Sequence, residues 1–212
     1  MNLLVVNFKV YTESLGNRGL ELAKKIEGVS NEIIVVPQTP DLRWIKQNTS
    51  LPIYAQHIDP VTPGSKTGHI LPDAAKEIGC VGTLINHSER PLTLDVIEKT
   101  IASCRNAGLK SMVCVPDIEA VKKVAALNPE MIAIEPPELI GGDVSVCTAN
   151  PGIIEEAVKA SPNIPVLCGA GVNSGEDAKK AVELGAKGIL IASAIVKNPH
   201  PEGLIRDLVN NL

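Results

Sequence analysis

Aromatic side chains are scarce, with one Trp, one Phe and two Tyr in 212 residues. A surface that stacks nucleic-acid bases needs more of them, and a formal net charge of −4 leaves no basic excess to track phosphates. Nucleic acid is therefore not expected as a partner. Long apolar runs are missing too, and none approaches the roughly 20 residues that cross a bilayer. The opening MNLLVVNFK has a short apolar core with no basic stretch ahead of it, which reads as a strand rather than a signal peptide. No membrane partner is expected. Cysteine is limited to Cys80, Cys104, Cys114, Cys147 and Cys168, an odd, scattered set with no pair at metal-ligand spacing. That suits a reducing, cytoplasmic location better than a disulfide framework. What remains, 44% hydrophobic and 21% charged residues, is ordinary for a chain that buries one large core.

Short β-branched runs are what the chain does have: LLVV from Leu3, IIVV from Ile33, PIYA from Pro52, GTLI from Gly82, SMVCV from Ser111, MIAI from Met131, PVLC from Pro165 and GILI from Gly188. A helical pattern follows each run. It is clearest in Leu94, Ile97, Ile101 and Cys104, whose spacing puts one apolar stripe on a helix. Ala178, Ala181 and Val182, then Leu204, Ile205 and Leu208, repeat it near the end. Eight strand-helix units at a pitch of about 26 residues predict parallel strands covered on both faces, which is why the runs are continuous instead of alternating. A doubly wound open sheet would satisfy the same pattern. With no composition break, linker or low-complexity segment, the closed (β/α)8 barrel fits better: an α/β fold, single domain, over residues 1–212.

A barrel carries its functional groups just after the strands, on the C-terminal rim. The first run leads into Asn7-Phe8-Lys9, where the lysine taken alone reads as a solvated loop residue. The fourth leads into Asn86-His87-Ser88-Glu89-Arg90, which crowds more hydrogen-bonding types onto a strand end than a turn needs. The sixth ends in Glu135, then Pro136-Pro137 and Glu138-Leu139-Ile140-Gly141-Gly142. One reading is an exposed glutamate in a proline-stiffened loop. The other is a general base followed by a hinged lid, whose closure excludes water and raises the carboxylate's basicity toward neutrality.

The seventh run continues into Gly169-Ala170-Gly171-Val172-Asn173-Ser174-Gly175 and the eighth into Ala192-Ser193-Ala194. Small residues let backbone amides approach a ligand, helix N-termini favour an anion, and these two loops are the usual phosphate site of a barrel. Gly169 reads equally well as a plain turn glycine. GAGVNS is not a dinucleotide fingerprint, because Ser174 stands where the third glycine belongs. A lysine, a histidine, a glutamate and an anion cradle on one rim suit a small phosphorylated carbonyl compound. A carboxylate would remove its carbon-bound proton while histidine and lysine stabilise the enediolate oxygen. That chemistry needs no metal and no cofactor.

In order and spacing, NFK at 7–9, AQHIDP at 55–60, NHSER at 86–90, EPPELIG at 135–141, LCGAGV at 167–172 and GILIAS at 188–193 resemble the triosephosphate isomerase family in its short, archaeal-type form. The resemblance runs over essentially the whole chain. It implies a TIM barrel and the interconversion of dihydroxyacetone phosphate and D-glyceraldehyde 3-phosphate, in glycolysis and gluconeogenesis. By position it implies Glu135 as general base, His87 as electrophile and proton shuttle, and Asn7 and Lys9 as substrate contacts, with the Lys9 charge on the enediolate. In this family the histidine is the familiar neutral imidazole beside a helix N-terminus, a feature that comes with the resemblance. Backbone amides near Ile140 and at Gly171, Ala192 and Ser193 would hold the phosphate. Glu89 would pair with a neighbouring base, or else open the fourth helix, where the dipole favours a carboxylate.

Two stretches depart from the family pattern. Lys66-Thr67-Gly68-His69 replaces the Thr-Gly-Glu of the longer enzymes in a loop that inserts into a partner subunit, and Gly141-Gly142-Asp143 replaces Gly-Thr-Gly in the lid. The family implies a homodimer or homotetramer. The segment His57 to Leu71 is longer than an ordinary loop between strand and helix; an interface is its natural use, and a disordered insertion the alternative. Two other readings stay open: a Schiff-base aldolase acting through Lys9, and a catalytically silent sugar-phosphate sensor, for which the base would be superfluous.

Overall fold

The computed structural model describes residues 2–139 and 145–212. All eight apolar runs are strands: β1 (Leu3–Asn7), β2 (Ile34–Val36), β3 (Tyr54–Ala55), β4 (Gly82–Ile85), β5 (Lys110–Val115), β6 (Met131–Ile134), β7 (Val166–Cys168) and β8 (Gly188–Ile191). They pair in parallel in the order β2-β1-β8-β7-β6-β5-β4-β3. A parallel bridge between Val35 and Ile53 joins the two ends of that ladder, so the sheet is a nearly closed barrel. Pro52 and Pro165 stand just ahead of β3 and β7 because proline cannot donate to a ladder. Their carbonyls still accept, from Val35 N–H at 3.1 Å and Ile132 N–H at 3.0 Å.

Helices fill the connections: α1 (Asn17–Glu27), α2 (Leu42–Asn48), α3 (Pro72–Ile78), α4 (Leu94–Ala107), α5 (Ile118–Ala125), α6 (Val146–Ala149), α7 (Pro151–Ala160), α8 (Gly175–Glu183), α9 (Ser193–Val196) and α10 (Glu202–Asn211). On α4 the expected stripe buries Ile97, Ile101 and Cys104, whereas Leu94, at the first position, stays exposed. Asp117 caps α5 by accepting from Ala120 N–H at 2.8 Å, and Ser174 caps α8 by accepting from Asp177 N–H at 3.2 Å. Each such cap stabilises its helix by about 1 kcal/mol.

Strand periodicity divides the apolar residues into two cores. Leu4, Val6, Ile85, Val113, Ile132 and Ile189 face outward and pack under the helices. Val5, Val36, Tyr54, Leu84, Met112, Met131, Ala133, Leu167 and Leu190 fill the barrel itself. Tyr54 is the large filler there, and Gly82 makes room for it: a Cβ on Gly82 would stand 2.5 Å from the Tyr54 ring. The long segment after β3 has an ordered base, where Asp59 N–H donates to Ile70 O and Asp59 Oδ2 accepts from Ile70 N–H. Residues 62–69 beyond that base are exposed.

Candidate active site

The period of two that buries Met131 and Ala133 inside the barrel makes Glu135 the next inward position. Its side chain is accordingly buried, at 4% exposure, rather than solvated at a loop. On the neighbouring strand the same step past Leu167 reaches Gly169. A Cβ there would stand 2.4 Å from Glu135 Cγ and 3.1 Å from its Oε1, so Gly169 is the space that the glutamate occupies and not a plain turn residue. Among the described residues, Glu135 Oε2 has no hydrogen-bond partner. Burial pushes the carboxyl up to about 7, more than the Cys114 thiol and the Lys9 charge pull it down. An unpaired buried carboxylate is costly. The structure thus shows a buried carboxyl held near neutrality, not a glutamate exposed in a proline-stiffened loop.

His87 lies out of phase with inward-facing Leu84, and Asn86 re-aims it. Asn86 adopts a left-handed backbone with φ of 59°, held from both sides of its amide. Its Nδ2 donates to Cys114 O and its Oδ1 accepts from Leu92 N–H, each at 2.8 Å. The His87 ring, 8% exposed, accepts at Nδ1 from Glu89 N–H at 3.1 Å. In the neutral ring the proton is thereby assigned to Nε2, which faces Glu135 Oε1 at 3.7 Å. Burial first, and then the Lys9 charge, hold His87 below the usual histidine range against the opposing pull of Glu89. The donor to Nδ1 belongs to a tight turn closed by Arg90 N–H on His87 O, not to a regular helix as the family pattern implied. Nor does Glu89 open the fourth helix, since α4 begins at Leu94. Its carboxylate instead accepts from Lys9 Nζ at 2.8 Å.

Lys9 is not a solvated loop residue either, for its side chain is only 9% exposed. Its backbone is left-handed, with φ of 46°. Asn7 Oδ1 accepts its N–H at 3.0 Å and Gln56 Nε2 donates to its carbonyl at 2.8 Å. Such a conformation costs about 1–3 kcal/mol unless neighbours fix it, and these two do so while setting the direction of the ammonium. An ammonium engaged with Glu89 is the opposite of the uncharged amine that a Schiff-base aldolase requires.

One pocket brings together Asn7, Lys9, His87, Glu135, Gly171, Ala192 and Ser193. Ser193 is the first residue of α9, so its N–H has no partner within that helix. Gly171 has φ of 68°, and its carbonyl accepts from Asn173 Nδ2 at 2.9 Å. Ile140, expected to add an amide to the phosphate site, lies outside the described residues, as do Gly141, Gly142 and Asp143. Tyr11 also lines the pocket, with Lys197 Nζ 4.5 Å from its ring centre. Sequence reasoning missed Tyr11, Cys114 and the true role of Gly169. The inward period past Met112 would have found Cys114; nothing local marks Tyr11. Among the described residues no cluster of His, Cys, Asp or Glu could hold a metal ion, and no helix is long and apolar enough to cross a membrane.

A sequence model of the triosephosphate isomerase family matches residues 2–211. The triosephosphate isomerase of Methanocaldococcus jannaschii is 52% identical to this chain over 215 residues, spanning 98% of each. That of Methanoculleus marisnigri is 46% identical over 217 residues, covering 99% of this chain and 98% of its own. That of Methanothermus fervidus is 44% identical over 218 residues, with the same coverage.

Proposed function

The chain belongs to the triosephosphate isomerase family, and from that premise we propose how its own residues interconvert dihydroxyacetone phosphate and D-glyceraldehyde 3-phosphate. The Glu135 carboxylate takes a proton from C1 of the ketose. As the C1–H electrons form the C1–C2 double bond, negative charge gathers on O2, where His87 Nε2–H and the Lys9 ammonium receive it. His87 gives its Nε2 proton to O2 and recovers one from the C1 hydroxyl. Glu135 then returns its proton to C2, and the aldose results. The anion cradle at Gly171, Ala192 and Ser193 takes the phosphate, and Asn7 fixes Lys9.

The observation that carries this reading is the buried Glu135 carboxylate, whose Oε2 has no hydrogen-bond partner among the described residues and whose Oε1 faces His87 Nε2 across 3.7 Å. Neutral His87 and Glu135 do not form an ion pair across that gap, and both side chains line the one pocket that also holds Lys9, Gly171 and Ser193. The test is a coupled assay of triose phosphate interconversion. Glu135→Gln should lower kcat by about 10²–10⁴-fold with KM close to wild type. An inactive wild type would overturn the reading.

A homodimer or homotetramer is part of the same proposal. The exposed 62–69 tip projects as a plug, and beside Lys9 a recess of about 270 Å³, lined in part by Val10, Gln56, His57 and Ile70, is the matching socket. Val10 is 72% exposed at its edge. A single monomeric species in sedimentation at micromolar concentration would refute it. The cytoplasm is the proposed compartment, since the five cysteines are all unpaired thiols; activity confined to a secreted fraction would exclude it.

A further inference from the structure

We propose that Cys147 and Cys168 form a reversible disulfide in the folded protein, and that closing it slows catalysis by displacing Gly169. The two sulfurs lie 3.2 Å apart and both residues are fully buried. A disulfide bond is about 2.05 Å long, so the two sulfurs need to close by only about 1 Å. The backbone already holds the two segments side by side: Val146 N–H, next to Cys147, donates to Ala170 O at 3.1 Å. Cys147 rides on α6, a single turn whose start is capped by the Ser145 hydroxyl accepting Cys147 N–H at 3.2 Å. The strand order of the barrel is therefore kept, and the remaining movement falls on the end of β7 at Cys168.

The consequence follows from what adjoins Cys168. Gly169 comes next in the chain, and its N–H is fixed to Ile134 O at 3.0 Å. Glu135 is packed against it with no room for even a methyl group. Drawing Cys168 toward α6 shifts that contact, and a displacement near 1 Å at a catalytic group costs about 10²-fold in rate. With hydrogen peroxide as oxidant, the electrons balance as follows. Cys147 ionises, its thiolate attacks one peroxide oxygen, the O–O bond breaks, and the leaving hydroxide takes up the proton that Cys147 released to become water. The Cys168 sulfur then attacks the sulfenic acid at Cys147 and expels a second water as the S–S bond forms. Cys147 is suited to attack first, because the hydrogen bond shared with Cys168 holds its thiol below the usual range, whereas the same bond and burial hold Cys168 above it. Burial means that the oxidant arrives only on local opening of α6, so the reaction is slow.

The test uses the full, reduced chain treated with hydrogen peroxide, followed by intact mass, peptide mapping after thiol alkylation, and kcat and KM before and after dithiothreitol. Expected are a loss of about 2 Da for the two hydrogens removed, a Cys147–Cys168 cross-linked peptide, and a kcat lowered about 10²-fold and restored by reductant. Cys147→Ser should keep both mass and activity under the same treatment, and Cys168→Ala serves should the first variant fold poorly. A cross-link that appears only in urea-unfolded chain would overturn the proposal. So would a cross-link that leaves kcat unchanged, or an equal loss of activity in Cys147→Ser, which would assign the sensitivity to another thiol. The activity arm rests on the isomerase reading, whereas the cross-link is read by mass and stands or falls independently of it.

Discussion

Replacing Glu135 with glutamine should make the protein more stable above neutral pH while it nearly abolishes activity. Burial raises the carboxyl from 4.5 to about 7, and a rise of that size corresponds to about 3 kcal/mol. The sign follows from proton binding. Between pH 4.5 and 7 the native state holds the Glu135 proton that the unfolded chain has released, so wild-type stability falls as pH rises through that window. Glutamine carries no charge and has no such slope. The variant should therefore match wild type near pH 4.5 and exceed it by at most about 3 kcal/mol above pH 7. For a chain of this length the difference corresponds to about 6–12 °C in Tm. Urea denaturation of both proteins across that pH range measures it directly, with unchanged m-values as the control. Carboxylates held below their usual range elsewhere, such as Asp59 and Glu27, cancel in the difference. Parallel stability curves for the two proteins, or a less stable glutamine variant at pH 8.5, would refute the claim that Glu135 is strained by burial without a partner.

Gly169→Ala should lower kcat by about 10²-fold with little change in KM, because its methyl group would displace Glu135 and leave the phosphate cradle in place; a KM effect larger than the kcat effect would count against the packing argument. Asn86→Ala removes two hydrogen bonds that hold a left-handed residue, so it should cost about 2–3 kcal/mol by urea denaturation and lower kcat as His87 loses its aim. Unaltered kcat in a destabilised Asn86→Ala protein would show that His87 is positioned by something else.

The site was legible in its parts wherever a local rule applied. Glu135 could be named from the end of a β-branched run, and His87 and Lys9 from polar residues in the same place on other runs. What they do to one another was not legible. Lys9 and Glu89 meet across 80 positions of sequence, and whether Gly169 is a turn or a cavity depends on a side chain from the next strand. For Glu89 the sequence allowed both pairing with a base and opening the fourth helix; the ion pair with Lys9 and the observed start of α4 at Leu94 leave the first.

Sequence alone determined the eight strands and their parallel order along a repeating unit, because apolar period acts between residues a few positions apart. Only the tertiary structure decided that Glu135 is buried with its Oε2 lacking a partner among the described residues, that a left-handed Asn86 turns His87 toward it, and that Cys147 and Cys168 touch. Those are consequences of barrel closure, which brings the ends of different strands within contact distance and withdraws water from between them. No short stretch of sequence encodes either the distance or the dryness.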